Sequence, residues 1–191
     1  MNVKTALLRL YDNLNKEYYY GTLPPIDIRF SFATQRYKEW MLKYEPQYTL
    51  VIKWKLLDCE EQQLYARMVH QMVHIYNHVN DIRDSCDKQR YHNHYFKKEA
   101  ERIGLITEHD SRKGYHVIGI NESEVEKIRK YFDYDKFHKE IVTNERTDNM
   151  KFLAHKCPKC NRMIKTLASN NVICGFCYVN YICVEEPWKD K

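Results

Sequence analysis

His70 and His74 stand four residues apart in a stretch, residues 59–80, that offers water almost no polar face. Leu64, Met68, Met72, Ile75 and Val79 recur at helical spacing, and Val69 and Val73 widen the apolar surface on a second side. A helix of this kind has to lie centrally, with the rest of the chain wrapped around it. Two imidazoles one turn apart on a buried helix need polar partners, and a single metal ion supplies both at once.

A third ligand must come from elsewhere. After a polar loop, the segment YHNHYFKKEAERIGL at residues 91–105 brings His92 and His94 to the entrance of a further helix, running from about Asn93 to Arg102 with Gly104 as its stop. His78 shares the His70/His74 face, but three consecutive turns of a straight helix do not converge on a tetrahedral ion. Spacing therefore disfavours His78 and leaves His92 and His94 both open. Three neutral imidazoles keep a fourth position free, the arrangement in which zinc lowers the pKa of water and polarises a carbonyl.

Residue 71 follows the first histidine and faces the edge of the same cavity. In HExxH peptidases this position holds a glutamate, which takes a proton from the attacking water and returns it to the leaving amine. Here it is Gln71. An amide has nearly the right shape and can hydrogen-bond, but it cannot accept and return a proton at neutral pH. General-base work contributes about 10²–10⁴-fold in rate, so Gln71 removes most turnover while leaving metal binding intact. Glu99 and Glu101 on the following helix are the candidate replacement bases.

Upstream, Leu7, Leu10, Leu14 and Tyr18 mark a helix over residues 5–19, ended by Gly21 and the Pro24-Pro25 pair. Strands are expected at residues 26–32, 37–44 and 48–54, with Pro46 in a turn, giving a small and mostly antiparallel sheet. Tyr18, Tyr19 and Tyr20 are expected to wedge the helix against that sheet. Downstream, GYHVIGI reads as extended, Tyr115 and His116 are candidates to steady an oxyanion, and Asn121 or Ser123 caps a helix through Tyr131. The fold class is α+β: a core over residues 1–134, a linker over 135–150, a cysteine module over 151–184 and a tail over 185–191.

That module contains CPKCNRMIKTLASNNVICGFC, with Cys157, Cys160, Cys174 and Cys177 as two CxxC knuckles able to wrap one tetrahedral zinc. All four positions are filled by thiolates, so this ion would be structural, and a module this small needs it to fold. Gly175 suits the tight second knuckle. From residue 151 to 184 the chain carries Lys151, Lys156, Lys159, Arg162 and Lys165 and no acid. With Tyr178 and Tyr181 these could contact phosphates and stack on exposed bases, without sequence specificity because no recognition helix is visible. Cys59, Cys86 and Cys183 stand apart as ordinary thiols, and His109, His116, His138 and His155 as incidental histidines.

Composition sets the remaining bounds. The chain has 191 residues, is 43% hydrophobic and carries a formal charge of +5, which suits one sizeable core plus a small appendage. No apolar run is long enough to span a bilayer, and the first 19 residues hold charges where a signal peptide needs an unbroken apolar centre. An intracellular protein with no membrane partner is expected, its CxxC pairs serving metal rather than disulfides.

These stretches together resemble the SprT-like zinc metallopeptidases, the family that includes the Spartan proteases. LLRLYDNLNKEYYYGTLPPIDIRF is similar to that family's opening helix, its Gly-x-Leu-Pro turn (Gly21, Leu23, Pro24) and its first strand. HQMVHIYNHVN resembles its HExxH helix, and YHNHYFKKEAERIGL its third-ligand segment. In the family pattern a histidine precedes an aromatic by four residues at the start of the following helix. Phe96 is that aromatic, so the resemblance assigns His92 as ligand beside His70 and His74. It implies a zincin-like core with one catalytic zinc, a C-terminal zinc ribbon, and protein substrates attached or crosslinked to DNA. Position 71 departs from the family pattern. Either the chain is a natural pseudopeptidase, a zinc-containing scaffold that grips DNA-bound proteins, or glutamate has been replaced to trap an inactive form. The second is slightly favoured, because glutamine is the usual disarming residue and the other motif positions are intact.

Overall fold

The computed structural model describes residues 2–31, 40–86, 91–112, 114–147, 152–167 and 172–184. It divides into two compact units, residues 1–142 and 143–191. Among the described residues the class is mixed: five α-helices and three small sheets.

In the first unit, α1 (Val3–Tyr19) starts at Asn2, whose side chain accepts from the Lys4 amide at 2.9 Å. Leu7, Leu10 and Leu14 are fully buried, as their spacing requires. The helix ends at Tyr20 (φ 53°) and Gly21 (φ 74°) in left-handed backbone. Buried Asn15 clamps the following turn: its amide donates to the Leu23 carbonyl at 3.0 Å and accepts the Leu23 N–H at 3.1 Å. Tyr11 adds a bond from its hydroxyl to the Pro24 carbonyl, 2.7 Å.

Strands β1 (Asp27–Ser31), β2 (Met41–Lys43) and β3 (Thr49–Lys53) form a sheet in the order β1-β3-β2. The β2–β3 pair is antiparallel as expected, but β1 runs parallel to β3. Strand β1 takes the edge of β3 that β2 leaves open, in the parallel sense, and side-chain alternation alone does not distinguish the two senses. Part of the strand expected over residues 37–44 lies outside the described residues; its described portion is β2.

A short 3₁₀ turn (Trp54–Leu56) leads to the central helix α2 (Glu61–Val79). Leu64, Tyr65, Met68, Val69, Met72 and Val73 are fully buried, so both apolar sides of this helix are covered. Beyond it come β4 (Ser85–Cys86), β5 (Tyr91–His92), α3 (His94–Arg102), β6 (Leu105–Asp110) and β7 (Gly114–Ile120). The second sheet has the order β4-β5-β7-β6. Strand β6 was not anticipated; it pairs antiparallel with β7.

Helix α4 (Glu122–Arg129) begins after Asn121, whose side chain makes no capping bond. Helix α5 (Tyr134–Thr147) occupies most of the expected linker. The polar composition of residues 135–150 concealed an i,i+4 pair, Phe137 and Ile141, both fully buried in the core. The Tyr134 hydroxyl donates to the Cys59 carbonyl, and His138 lies 2.9 Å from Asp58, tying this helix to the approach to α2. The three tyrosines also differ from expectation. Tyr19 stacks on Tyr76 of α2 rather than on the sheet, Tyr18 bonds Glu124, and Tyr20 is 91% exposed.

The second unit is a three-stranded antiparallel sheet, β8 (Phe152–Lys156), β9 (Met163–Leu167) and β10 (Ile182–Val184), in the order β10-β8-β9. Among the described residues, no helix is long and apolar enough to cross a membrane.

Candidate metal centre

His70 and His74 project from α2 and His92 from β5, and their ligand nitrogens all lie within 4.8 Å of one another. The Nε2 atoms of His70 and His74 are 3.2 Å apart. Their outer nitrogens explain why they converge. His74 Nδ1 donates to Asp84 Oδ2 at 2.8 Å, and His92 Nδ1 donates to the Tyr115 carbonyl at 2.8 Å. A carbonyl only accepts, so His92 carries its proton on Nδ1 and leaves Nε2 as a bare lone pair. That Nε2 is buried without a protein partner. A buried acceptor with nothing to accept is costly, and a cation held by this nitrogen together with those of His70 and His74 removes the cost. The residues present fit a metal ion.

Protonation states agree. Desolvation, then the rings of His74 and His92, holds His70 well below the ordinary imidazole range. Desolvation, then His74, lowers His92 to about 4 despite its Tyr115 bond. Both rings are neutral at pH 7, as ligands must be. Burial pushes Asp84 up, but hydrogen bonds, that from His74 first and then those from Asn77 and Ser85, outweigh it and hold its carboxyl below the usual range. Phe96, fully buried, stacks on His92 at 4.0 Å and stands about one ring-width from the other two imidazoles.

The loop geometry that assembles this group was not visible in the ligand motif. Asn93 caps α3, accepting the Tyr95 amide at 2.8 Å, while its side chain donates to the Arg83 carbonyl at 2.7 Å. The Asn93 N–H bonds the Asp84 carbonyl at 2.9 Å. One residue thus fixes the distance between Asp84, which orients His74, and His92 beside it. Asn77, a turn below His74, donates to Asp84 at 3.1 Å. Gly114 pairs with His92 across the parallel β5–β7 bridge. Asp84 and Gly114 were missed, and Asn93 was expected only as the start of α3, not as the tie to the Asp84 loop.

The remaining candidates fall outside the group. His78 lies 2.9 Å from the Tyr48 hydroxyl and stacks on Tyr44 at 4.1 Å. His94 is exposed against Tyr95. Glu99 is held by Arg102 at 2.6 and 2.9 Å, and Glu101 accepts from Thr107 at 2.7 Å, so the carboxylates offered as replacement bases are committed elsewhere. Tyr115 contributes its carbonyl; its ring packs on His109. His116 pairs loosely with Glu108 at 3.8 Å. Gln71 is 7% exposed, and no described residue hydrogen-bonds its amide. A cavity of about 530 Å³ is lined by His74, Asp84 and residues of β2 and β4 but not by Gln71.

In the second unit the sulfurs of Cys157, Cys160, Cys174 and Cys177 also lie within 4.8 Å of one another. The two knuckles repeat one geometry. Asn161 N–H bonds Cys157 O at 3.0 Å and Tyr178 N–H bonds Cys174 O at 2.8 Å. Both Asn161 (φ 57°) and Tyr178 (φ 52°) are left-handed. The demand for left-handed backbone falls there, not at Gly175, where a Cβ would meet nothing within 4 Å. Backbone donors, that of Phe176 first, lower the Cys174 thiol to about 6, while the Cys160 thiol above all raises Cys177 to about 12. Four crowded sulfurs compete for negative charge, a competition that one dication relieves. Around them Lys156, Lys159 and Arg162 are exposed, Tyr178 is 84% exposed, and Arg162 covers the Phe176 ring at 3.6 Å.

Fold and sites together define a two-unit α+β protein with a three-histidine group and a four-cysteine group, each able to hold a metal. No protein-family model, curated protein or solved structure matches the chain.

Proposed function

We propose that this chain is a zinc-dependent endopeptidase of SprT-like type, built on a zincin-like core with an HExxH-type helix and directed at DNA-associated or DNA-crosslinked proteins. Its turnover is disabled by Gln71. The observation that carries this reading is the inward, unpartnered Nε2 of His92 facing two further imidazoles. Ligand atoms of a tetrahedral ion at bond lengths of about 2.0–2.1 Å stand about 3.3 Å apart, close to the 3.2 Å between His70 and His74. Three nitrogens with an open position suit catalytic zinc, and four thiolates suit structural zinc.

When bound, the histidine-held zinc supplies Lewis acidity towards a substrate carbonyl. The chain's own residues do the rest. Asp84 and the Tyr115 carbonyl hold two ligand rings in one tautomer, and Phe96 walls the group from bulk water. The Gln71 amide can donate to a bound carbonyl or accept from water, but it cannot carry a proton from one to the other. In the second unit, exposed Lys156, Lys159 and Arg162 with Tyr178 support contact with DNA phosphates and bases.

A second reading, a scaffold that grips without cutting, is favoured by Gln71 itself. The two separate by comparing proteolysis of a denatured, DNA-bound substrate by the zinc-loaded chain and by its Gln71→Glu form. Cleavage gained about 10²–10⁴-fold in the glutamate form supports the disarmed peptidase. No cleavage by either form, with intact zinc and tight DNA binding, supports the scaffold.

A further inference from the structure

We infer that the cavity beside His74 is a side-chain subsite selecting a large apolar or aromatic residue of an extended peptide, with Tyr44 and His78 as its specificity-determining residues. The inference rests on the peptide-binding half of the proposed function, not on turnover. The cavity, about 530 Å³, falls within the range of about 300–1,000 Å³ that holds small ligands and anchoring side chains. Its floor is preorganised. His78 stacks on Tyr44 at 4.1 Å with an interplanar angle of 13°, and the Tyr48 hydroxyl, 2.9 Å from Nδ1, fixes the imidazole in that plane. Met41 and Ile82 complete apolar walls.

The position of this shelf ties it to the metal group. His78 lies one turn beyond His74 on α2, and His74 and Asp84 line the same cavity. A residue seated on the shelf therefore holds its neighbouring peptide carbonyl next to the ligand cluster. The occupant is argued from the two strands that flank the opening. Among the described residues β2 pairs with β3 alone and β4 with β5 alone, so each strand has an outer edge not used by its own sheet. Met41 and Leu42 of β2 and Ser85 and Cys86 of β4 line the cavity. Free strand edges bind extended backbone, and pockets between them read alternate side chains. Among the described lining residues the one carboxylate, Asp84, is committed to His74 and Asn77, so it does not favour a basic side chain.

The test uses the full zinc-loaded chain with Gln71 in place. Fluorescein-labelled Gly/Ser peptides carrying a single central Phe, Leu, Ala, Glu or Lys are titrated by anisotropy. The Phe and Leu peptides should bind at least about tenfold more tightly than the others. Tyr44→Ala and His78→Ala should each shrink that preference to about twofold while metal content at the histidine group stays constant. Met41→Trp, which adds bulk at another lining residue, should weaken only the Phe and Leu peptides and provides the readout if either alanine form fails to fold. Equal binding of all five peptides overturns the inference, as does a preference that survives all three substitutions. Preferential binding without any cleavage by Gln71→Glu would remove the peptidase reading and leave the subsite standing. Cleavage by Gln71→Glu that is indifferent to side chain would do the reverse.

Discussion

A Cβ placed on Gly114 would stand 2.1 Å from the carbonyl oxygen of His92. Gly114 sits at φ +70° and forms the only register pair between β5 and β7 among the described residues, so it fixes how closely the third ligand approaches the sheet. Gly114→Ala should therefore push His92 away from the other two histidines. Metal affinity at the histidine group should fall by about 10–100-fold, the range typical of disturbed support around ligands, while the cysteine group keeps its ion. The strained backbone adds a destabilisation of more than about 1 kcal/mol. Metal analysis after chelator challenge, with thermal denaturation, reads both; full retention of two ions would show that His92 does not depend on this contact.

Asp84 makes a separable contribution. It is 6% exposed, accepts from His74 and Asn77, and fixes the His74 tautomer so that Nε2 faces inward. In Asp84→Ala the ring is free to rotate and Asn77 loses its acceptor. Metal affinity at the histidine group should drop by about 10–100-fold. Asp84→Asn, which keeps an acceptor oxygen but removes the charge, should fall in between. Competition against a coloured chelator distinguishes the three proteins, and an alanine form as tight as the parent would refute the orienting role.

The metal-free protein should lose stability as it is acidified. His92 titrates at about 4 in the folded chain against 6.5 when exposed. Between these values the unfolded chain binds a proton that the folded chain refuses. The folded state's advantage is complete above about pH 6.5 and declines as pH falls towards about 4; lowered His70 acts in the same direction. Each proton contributes at most about 1.4 kcal/mol per pH unit. Melting temperatures of the chelator-treated chain at pH 7, 6 and 5 should fall steadily, and more shallowly in His92→Ala. Identical slopes for the two proteins would mean that His92 is not held neutral.

Features repeated along one helix were legible from the sequence; those arising when distant segments meet were not. His70 and His74 could be paired because their spacing and the surrounding burial pattern belong to a single element, α2. His92 could not be separated from His94 by spacing, because the choice depends on β5 bridging to Gly114, twenty-two positions downstream by subtraction of their numbers. Asp84 was hidden for the same reason: it becomes a partner of His74 only once Asn93 ties the loop down. The sense of β1 was lost because successive side chains point to opposite faces in any strand, whichever way its partner runs. In α5, two buried residues among many charged ones gave too thin a stripe to stand out. The second unit's knuckles were readable from spacing, yet glycine drew attention from Asn161 and Tyr178, where the backbone turns left-handed.

Tyr178 offers a test of the proposed DNA contact that does not confound binding with folding. Its ring is 84% exposed, while its backbone, at φ 52°, bonds Cys174 through an N–H that any residue but proline supplies. Glycine is the residue that adopts this conformation without strain, so Tyr178→Gly should leave the cysteine group's ion in place and the unit at least as stable. What it removes is a surface on which a base can stack, worth about 1–3 kcal/mol per base. Affinity for a labelled single-stranded oligonucleotide at fixed salt should fall about five- to hundredfold, and Tyr178→Phe should restore it despite losing the hydroxyl. Lys159→Ala, by contrast, should weaken binding mainly at low salt and reduce the salt slope by less than one. If the glycine form binds as tightly as the parent while its metal is retained, stacking on Tyr178 plays no part, and contact with nucleic acid would have to rest on the cationic side chains alone.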